Sequence, residues 1–191
     1  MSPEPTDTTW RCGRFLIDRS SPPADDVLHL HCPGARDLAV EHLATLALLP
    51  IHDWNGVLLA DAGVHPPLRA DNTSACVFAI DPFHRTRDIL EELRRCGYRW
   101  VTNFPSTEAI DGEMRATLDD LGFGREKELQ FIEDAAAFGF AVAAFATSNG
   151  SAAAMIERGA TLLVTPAGSK ISVGSLPSAV PVIELEMNPS S

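Results

Sequence analysis

Apolar residues recur along this chain in a unit that repeats three times: an amphipathic helix, a terminating glycine, then an apolar strand ending in a small polar side chain. In "TRDILEELRRCGYRWVTN", Ile89, Leu90, Leu93 and Cys96 form one helical stripe, and acids precede bases as the helix dipole favours. Gly97 suits the left-handed position after the helix, and a strand is predicted over about Arg99 to Asn103. "EKELQFIEDAAAFGFAVAAFATSN" repeats the pattern with Leu129, Ile132, Ala136 and Gly139 and a strand over Phe140 to Ala146. "GSAAAMIERGATLLVTPAG" does so again with Gly159 and a strand over Thr161 to Val164.

Upstream, "CGRFLID" and "GVLLAD" read as strands, "ARDLAVEHLATLALL" as a helix stopped by Pro50, and "ACVFAID" as another strand; "VPVIELE" supplies a last one. Strands that are apolar on both faces and alternate with helices indicate a parallel sheet covered on each side, hence α/β architecture. About six strands fit either an open doubly wound sheet or a shortened (β/α)8 barrel, whose full form usually needs about 250 residues. In both, chemistry lies beyond the carboxyl ends of the strands. Those ends carry Asp81, Asn103, Thr147 with Ser148 and Asn149, and Thr165.

The 191 residues suit one domain, expected over 10–187 between small polar, proline-bearing tails at 1–9 and 188–191. A net charge of −11 opposes binding to nucleic acid or to anionic membranes. The N-terminus lacks the character of a signal peptide, and the longest nearly apolar stretch, Ala135 to Ala146, is too short to cross a bilayer, so a cytoplasmic protein is expected. Cys12, Cys32, Cys76 and Cys96 form no C-x-x-C pair and read as reduced structural thiols.

The stretch from Asp81 to Gly168 resembles the phosphoenolpyruvate hydrolase-like TIM-barrel family. The resemblance rests on Asp81-Pro82-Phe83, Asn103-Phe104-Pro105, Ile110-Asp111-Gly112 and the Gly122-Phe123-Gly124 step into an acidic helix, with a weaker echo in Gly13-Arg14-Phe15. It implies a TIM-like barrel distantly related to phosphonopyruvate-cleaving and isocitrate-cleaving enzymes, acting on small keto or enol acids. The chain departs from that family in having no strand and glycine-rich loop before Trp10, in placing Thr165-Pro166-Ala167-Gly168 where relatives carry a His, and in ending after "VPVIELEMNPSS". A shortened barrel is therefore expected.

Strand direction puts Asp81 at the mouth as a general acid or base, with His84 three residues on as a partner; the alternative role of Asp81 is to cap the helix beginning near Thr86. Asn103 can orient a carboxylate or enolate oxygen, or else tie its loop to the neighbouring strand. Ser106 and Glu108 in the following loop, and Thr147, are expected to face a ligand. Asp111 offers either a substrate contact or a helix cap. Arg14 and Lys170 are the cations expected to anchor an acidic substrate. "HLHC" puts His29 and His31 on one face if extended, but no third ligand is evident. No cofactor motif appears, and a divalent metal is left open. Two functions follow. One is an enzyme of hydrolase, lyase or isomerase type acting on a small oxygen-rich metabolite, in specialised biosynthesis. The other is a catalytically silent barrel that binds a partner, a homodimer being the simplest, through sheet edges that an incomplete barrel leaves open.

Overall fold

The computed structural model describes residues 10–17, 24–36, 38, 52–67, 69–110, 112–177 and 179–186. Its elements in chain order are β1 (Cys12–Leu16), β2 (Val27–His31), α1 (Trp54–Val64), β3 (Thr73–Val77), α2 (Thr86–Arg95), β4 (Trp100–Asn103), α3 (Gly112–Asp120), α4 (Arg125–Ala137), β5 (Ala141–Phe145), α5 (Asn149–Glu157), β6 (Leu162–Pro166) and β7 (Val182–Glu186). The three repeated units form as their residues predict. Gly97, Gly139 and Gly159 take φ of 91°, 89° and 108° at the ends of α2, α4 and α5. At each, the next residue's N–H reaches back to close the last turn, as Tyr98 does to the Leu93 carbonyl.

Each strand pairs in parallel with the next, and β7 pairs with β1 through Gly13↔Leu185 and Arg14↔Glu186. The result is a closed barrel of seven strands. The open doubly wound alternative is thereby excluded, and so are the exposed sheet edges on which the expectation of a partner chain rested, because closure pairs every strand on both sides. Two elements differ from the sequence reading. "GVLLAD" lies inside α1, because Asp53 caps that helix by accepting the Gly56 N–H at 2.8 Å and sets a helical period over the short apolar run. "VLHLH" is β2, buried at all five positions. The expected helix over 35–49 lies from residue 39 outside the described residues, as do the two tails.

Alternation along the strands sorts the core into two layers. Inward positions such as Phe15, Leu28, Leu30, Cys76, Phe145, Val164, Ile183 and Leu185 fill the barrel. Outward positions such as Val77, Val101, Val142, Ala144 and Leu163 pack beneath Leu58, Leu90, Leu93, Phe131, Ile132 and Met155 of the helices. His29 and His31 share the outward face of β2, where His31 sits 3.0 Å from Asp61 and 2.6 Å from the Tyr98 hydroxyl. The cysteines are all free. No helix among the described residues is long and apolar enough to cross a membrane.

Candidate functional site

The polar loop after β4 turns inward. Asn103, Ser106 and Thr107 converge on Glu128 of α4, a buried carboxylate on the same helical stripe as Phe131, Ile132 and Ala135. Glu128 Oε2 accepts from Asn103 Nδ2 and Ser106 Oγ, each at 2.7 Å, and Oε1 accepts from the Thr107 N–H and Thr107 Oγ1, each at 2.6 Å. Burial pushes the Glu128 carboxyl up, the four hydrogen bonds pull it back, and the net shift is upward. Asn103 also accepts the Phe145 N–H at 2.7 Å and lies 3.4 Å from the Phe145 carbonyl. The regular β4–β5 pairing covers only Trp100↔Ala141 and Val101↔Val142, so this carboxamide prolongs the ladder with a side chain. Asn103 therefore ties its loop to the neighbouring strand, one of the two roles its position offered, and Ser106, expected to face a ligand, is bonded to Glu128. The cause is that Asn103 shares the outward parity of Val101 and so points at α4, away from the barrel axis.

Glu108 is likewise engaged. Its carboxylate pairs with Arg115 of α3 at 3.1 Å and lies 3.3 Å from Thr147 Oγ1. Thr147 is thus joined to the loop it was expected to face across a ligand. Arg14 points out of the barrel wall and pairs with Glu186 of β7 at 2.5 Å. Lys170 is exposed in the loop after β6. Asp111 lies outside the described residues.

A different group gathers beyond β3. Asp81 is almost fully buried at its side chain, 4% exposed, and is held from three directions. The Phe83 N–H donates to Oδ1 at 2.6 Å, Asn55 Nδ2 donates to Oδ2 at 2.7 Å, and His84 Nδ1 lies 3.0 Å from Oδ2. Asn55, in the first turn of α1, is fully buried and also grips the backbone of Phe78: it accepts the Phe78 N–H at 3.0 Å and donates to the Phe78 carbonyl at 2.9 Å. That is the device of Asn103 used a second time, one strand away. Asp53, the cap of α1, brings a second carboxylate to 3.4 Å from His84 Nδ1. Asp81 and His84 line a hollow of about 310 Å³ with Ala79, Ile80, Arg85, Thr86, Phe123 and Lys127.

The barrel axis itself is closed at this end. Phe15, Phe104 and Phe145 pack across it in tilted and edge-to-face contacts with ring centroids 4.9 and 5.2 Å apart, in one core cluster with buried Phe78 and Ile80. The hollow is thereby displaced from the centre to the rim, between the start of α2 and the start of α4.

Of the residues singled out in the sequence, the structure joins Asp81 with His84, and separately Asn103 with Ser106 and Glu108 with Thr147. Asn55, Asp53, Arg85, Lys127 and Glu128 were missed. Glu128 carried a signal, an acid three, four and seven residues before Phe131, Ile132 and Ala135 on a buried stripe. Asn55 lay two residues after a helix cap that was itself unread.

A match to the phosphoenolpyruvate hydrolase-like family spans residues 36–182. The chain is 40% identical over 154 residues to the uncharacterized protein y4oT of Sinorhizobium fredii, covering 78% of this chain and 77% of that one. It is 34% identical over 122 residues to the ToMV resistance protein Tm-1(GCR237) and to the ToMV susceptible protein tm-1(GCR26) of Solanum lycopersicum. Those matches cover 63% of this chain and 16% of the tomato proteins. The barrel, the order of its motifs and this span of similarity establish that the chain belongs to the phosphoenolpyruvate hydrolase-like family.

Proposed function

We propose that the protein is an atypical enzyme of this family that moves protons on a small keto or enol acid, at the rim beyond β3. The observation that carries the reading is the Asp81–His84 contact beside the hollow. Asp81, held by Asn55 and the Phe83 N–H, fixes the imidazole through Nδ1, and Nε2 is then the ring nitrogen that exchanges a proton with substrate. Arg85 and Lys127 stand on the same wall and take the anchoring role first assigned to Arg14 and Lys170, neutralising a carboxylate or phosphate. Asn103 becomes a positioning residue that holds β4 to β5, and Ser106, Glu108 and Thr147 order the loop beside it.

The test is a panel of keto, enol and phosphorylated acids, scored first by the shift in melting temperature of the purified protein and then by turnover followed with proton NMR. A compound that stabilises the protein and is consumed, with turnover lost in Asp81→Asn and His84→Ala, supports the reading. Stabilisation and turnover unchanged in both variants would overturn it.

The aromatic closure of the barrel axis favours a second reading, a silent barrel whose surface serves a partner protein. Under it no acid in the panel is consumed, and partner binding survives Asp81→Asn and His84→Ala.

A further inference from the structure

We infer that Asp53, Asp81 and His84 form a binding site for one divalent first-row transition cation, with two carboxylate oxygens and one imidazole nitrogen as ligands. The three donor atoms all lie within 4.8 Å of one another. The two measured edges are more telling: His84 Nδ1 is 3.0 Å from Asp81 Oδ2 and 3.4 Å from Asp53 Oδ1. For metal–ligand bonds of about 2.1 Å, neighbouring ligands stand about 3.0 Å apart in octahedral and about 3.4 Å apart in tetrahedral coordination. The two edges from His84 thus have the length that a shared ion sets, and the remaining edge, between the carboxylates, lies within 4.8 Å.

Each carboxylate ligand is already oriented from behind. The Asn55 carboxamide and the Phe83 N–H hold Asp81, and the Gly56 N–H holds Asp53 as part of the cap of α1. Exposure rises across the set, from 4% for the Asp81 side chain through 29% for His84 to 48% for Asp53. The site is anchored on its inner side and open on its outer side, next to the hollow, which leaves coordination positions for water or for an oxygen of a bound acid. The mixed donor set, with an imidazole nitrogen, suits Mn2+, Co2+ or Zn2+ better than Mg2+ or Ca2+.

This inference shares its location with the proposed catalytic site, yet the two fail separately. Turnover by a chain that binds no ion would sink the inference and spare the enzyme, and ion binding without turnover would do the reverse.

The full chain is stripped with chelator and titrated with Co2+, read by its visible absorption bands, and with Zn2+ by calorimetry. One ion per chain is expected, bound at least about tenfold more weakly by Asp53→Asn and His84→Ala. Asn still caps a helix, so Asp53→Asn keeps α1 folded, and unchanged far-ultraviolet circular dichroism confirms it. Absence of binding to the wild-type chain, or equal affinity in the wild type and both folded variants, would overturn the inference.

Discussion

Replacing Glu128 tests whether the buried carboxylate organises the loop after β4. In Glu128→Ala two donors that cannot turn away, the Thr107 N–H and one N–H of Asn103, lose their acceptor, while the Ser106 and Thr107 hydroxyls can re-aim. An orphaned buried donor costs about 1–3 kcal/mol, so the variant should lose about 2–6 kcal/mol. Glu128→Gln keeps the volume but turns an NH2 group toward one of the two donor pairs, a conflict of about 1–3 kcal/mol. The pH dependence adds a sign. Because burial raises the carboxyl, the folded chain holds this proton to higher pH than the unfolded one. The stability linked to it is present below the ordinary glutamate value of about 4.3 and is lost as pH rises through the folded value. The wild type therefore loses this increment on going upward in pH, the glutamine variant does not, and the penalty of Glu128→Gln should shrink. Urea denaturation of the wild type and both variants, at about pH 4 and about pH 8, reads these differences directly. A cost below about 1 kcal/mol for Glu128→Ala would refute the hub, and a glutamine penalty that grows with pH would show that hydrogen bonding outweighs burial.

Three other outcomes follow from the same contacts. Asn55→Ala strips acceptor and donor from both polar backbone groups of Phe78 and frees Asp81; a loss of about 2–4 kcal/mol is expected in urea denaturation, together with weaker cation binding. Gly159→Ala would place a Cβ 2.8 Å from Ala136 Cβ at a residue with φ of 108°, so about 1–3 kcal/mol should be lost, and a neutral result in thermal melts would contradict the close approach of α5 to α4. Lys127→Ala, at the rim of the hollow, should raise the concentration of acid needed for half-maximal turnover while leaving the melting temperature unchanged; equal half-saturation in both proteins would remove Lys127 from the site.

The sequence was most informative where local and tertiary signals agreed. The units around Gly97, Gly139 and Gly159 combine a stripe, a left-handed stop and an apolar strand, and all three form. It misled at "GVLLAD", where a short apolar run has no period of its own and the cap at Asp53, three residues earlier, decides for helix. Closure of the barrel was not legible, because the pairing of β7 with β1 joins residues about as far apart as the chain allows. The same limit governed the site. Asp81 and His84 are neighbours in sequence and could be paired by inspection, whereas Asn55 and Asp53 reach Asp81 and His84 only through the packing of α1 beside β3.

The positions of the two carboxamides explain why the polar loop and the reactive rim separate. Asn103 and Asn55 each extend a strand end by binding the backbone of an aromatic residue, Phe145 and Phe78, and so set where those rings lie. Phe145 closes the axis together with Phe104, while Phe78 belongs to the same core cluster as Ile80, which lines the hollow. With the axis filled by rings, a polar side chain in the loop after β4 finds its partners outward, on Glu128 and Arg115. Among the described residues, the segment after β3 keeps charged groups beside open space. A search for ligands of this barrel accordingly belongs at the rim between α2 and α4, where Asp81, His84 and Lys127 share one wall.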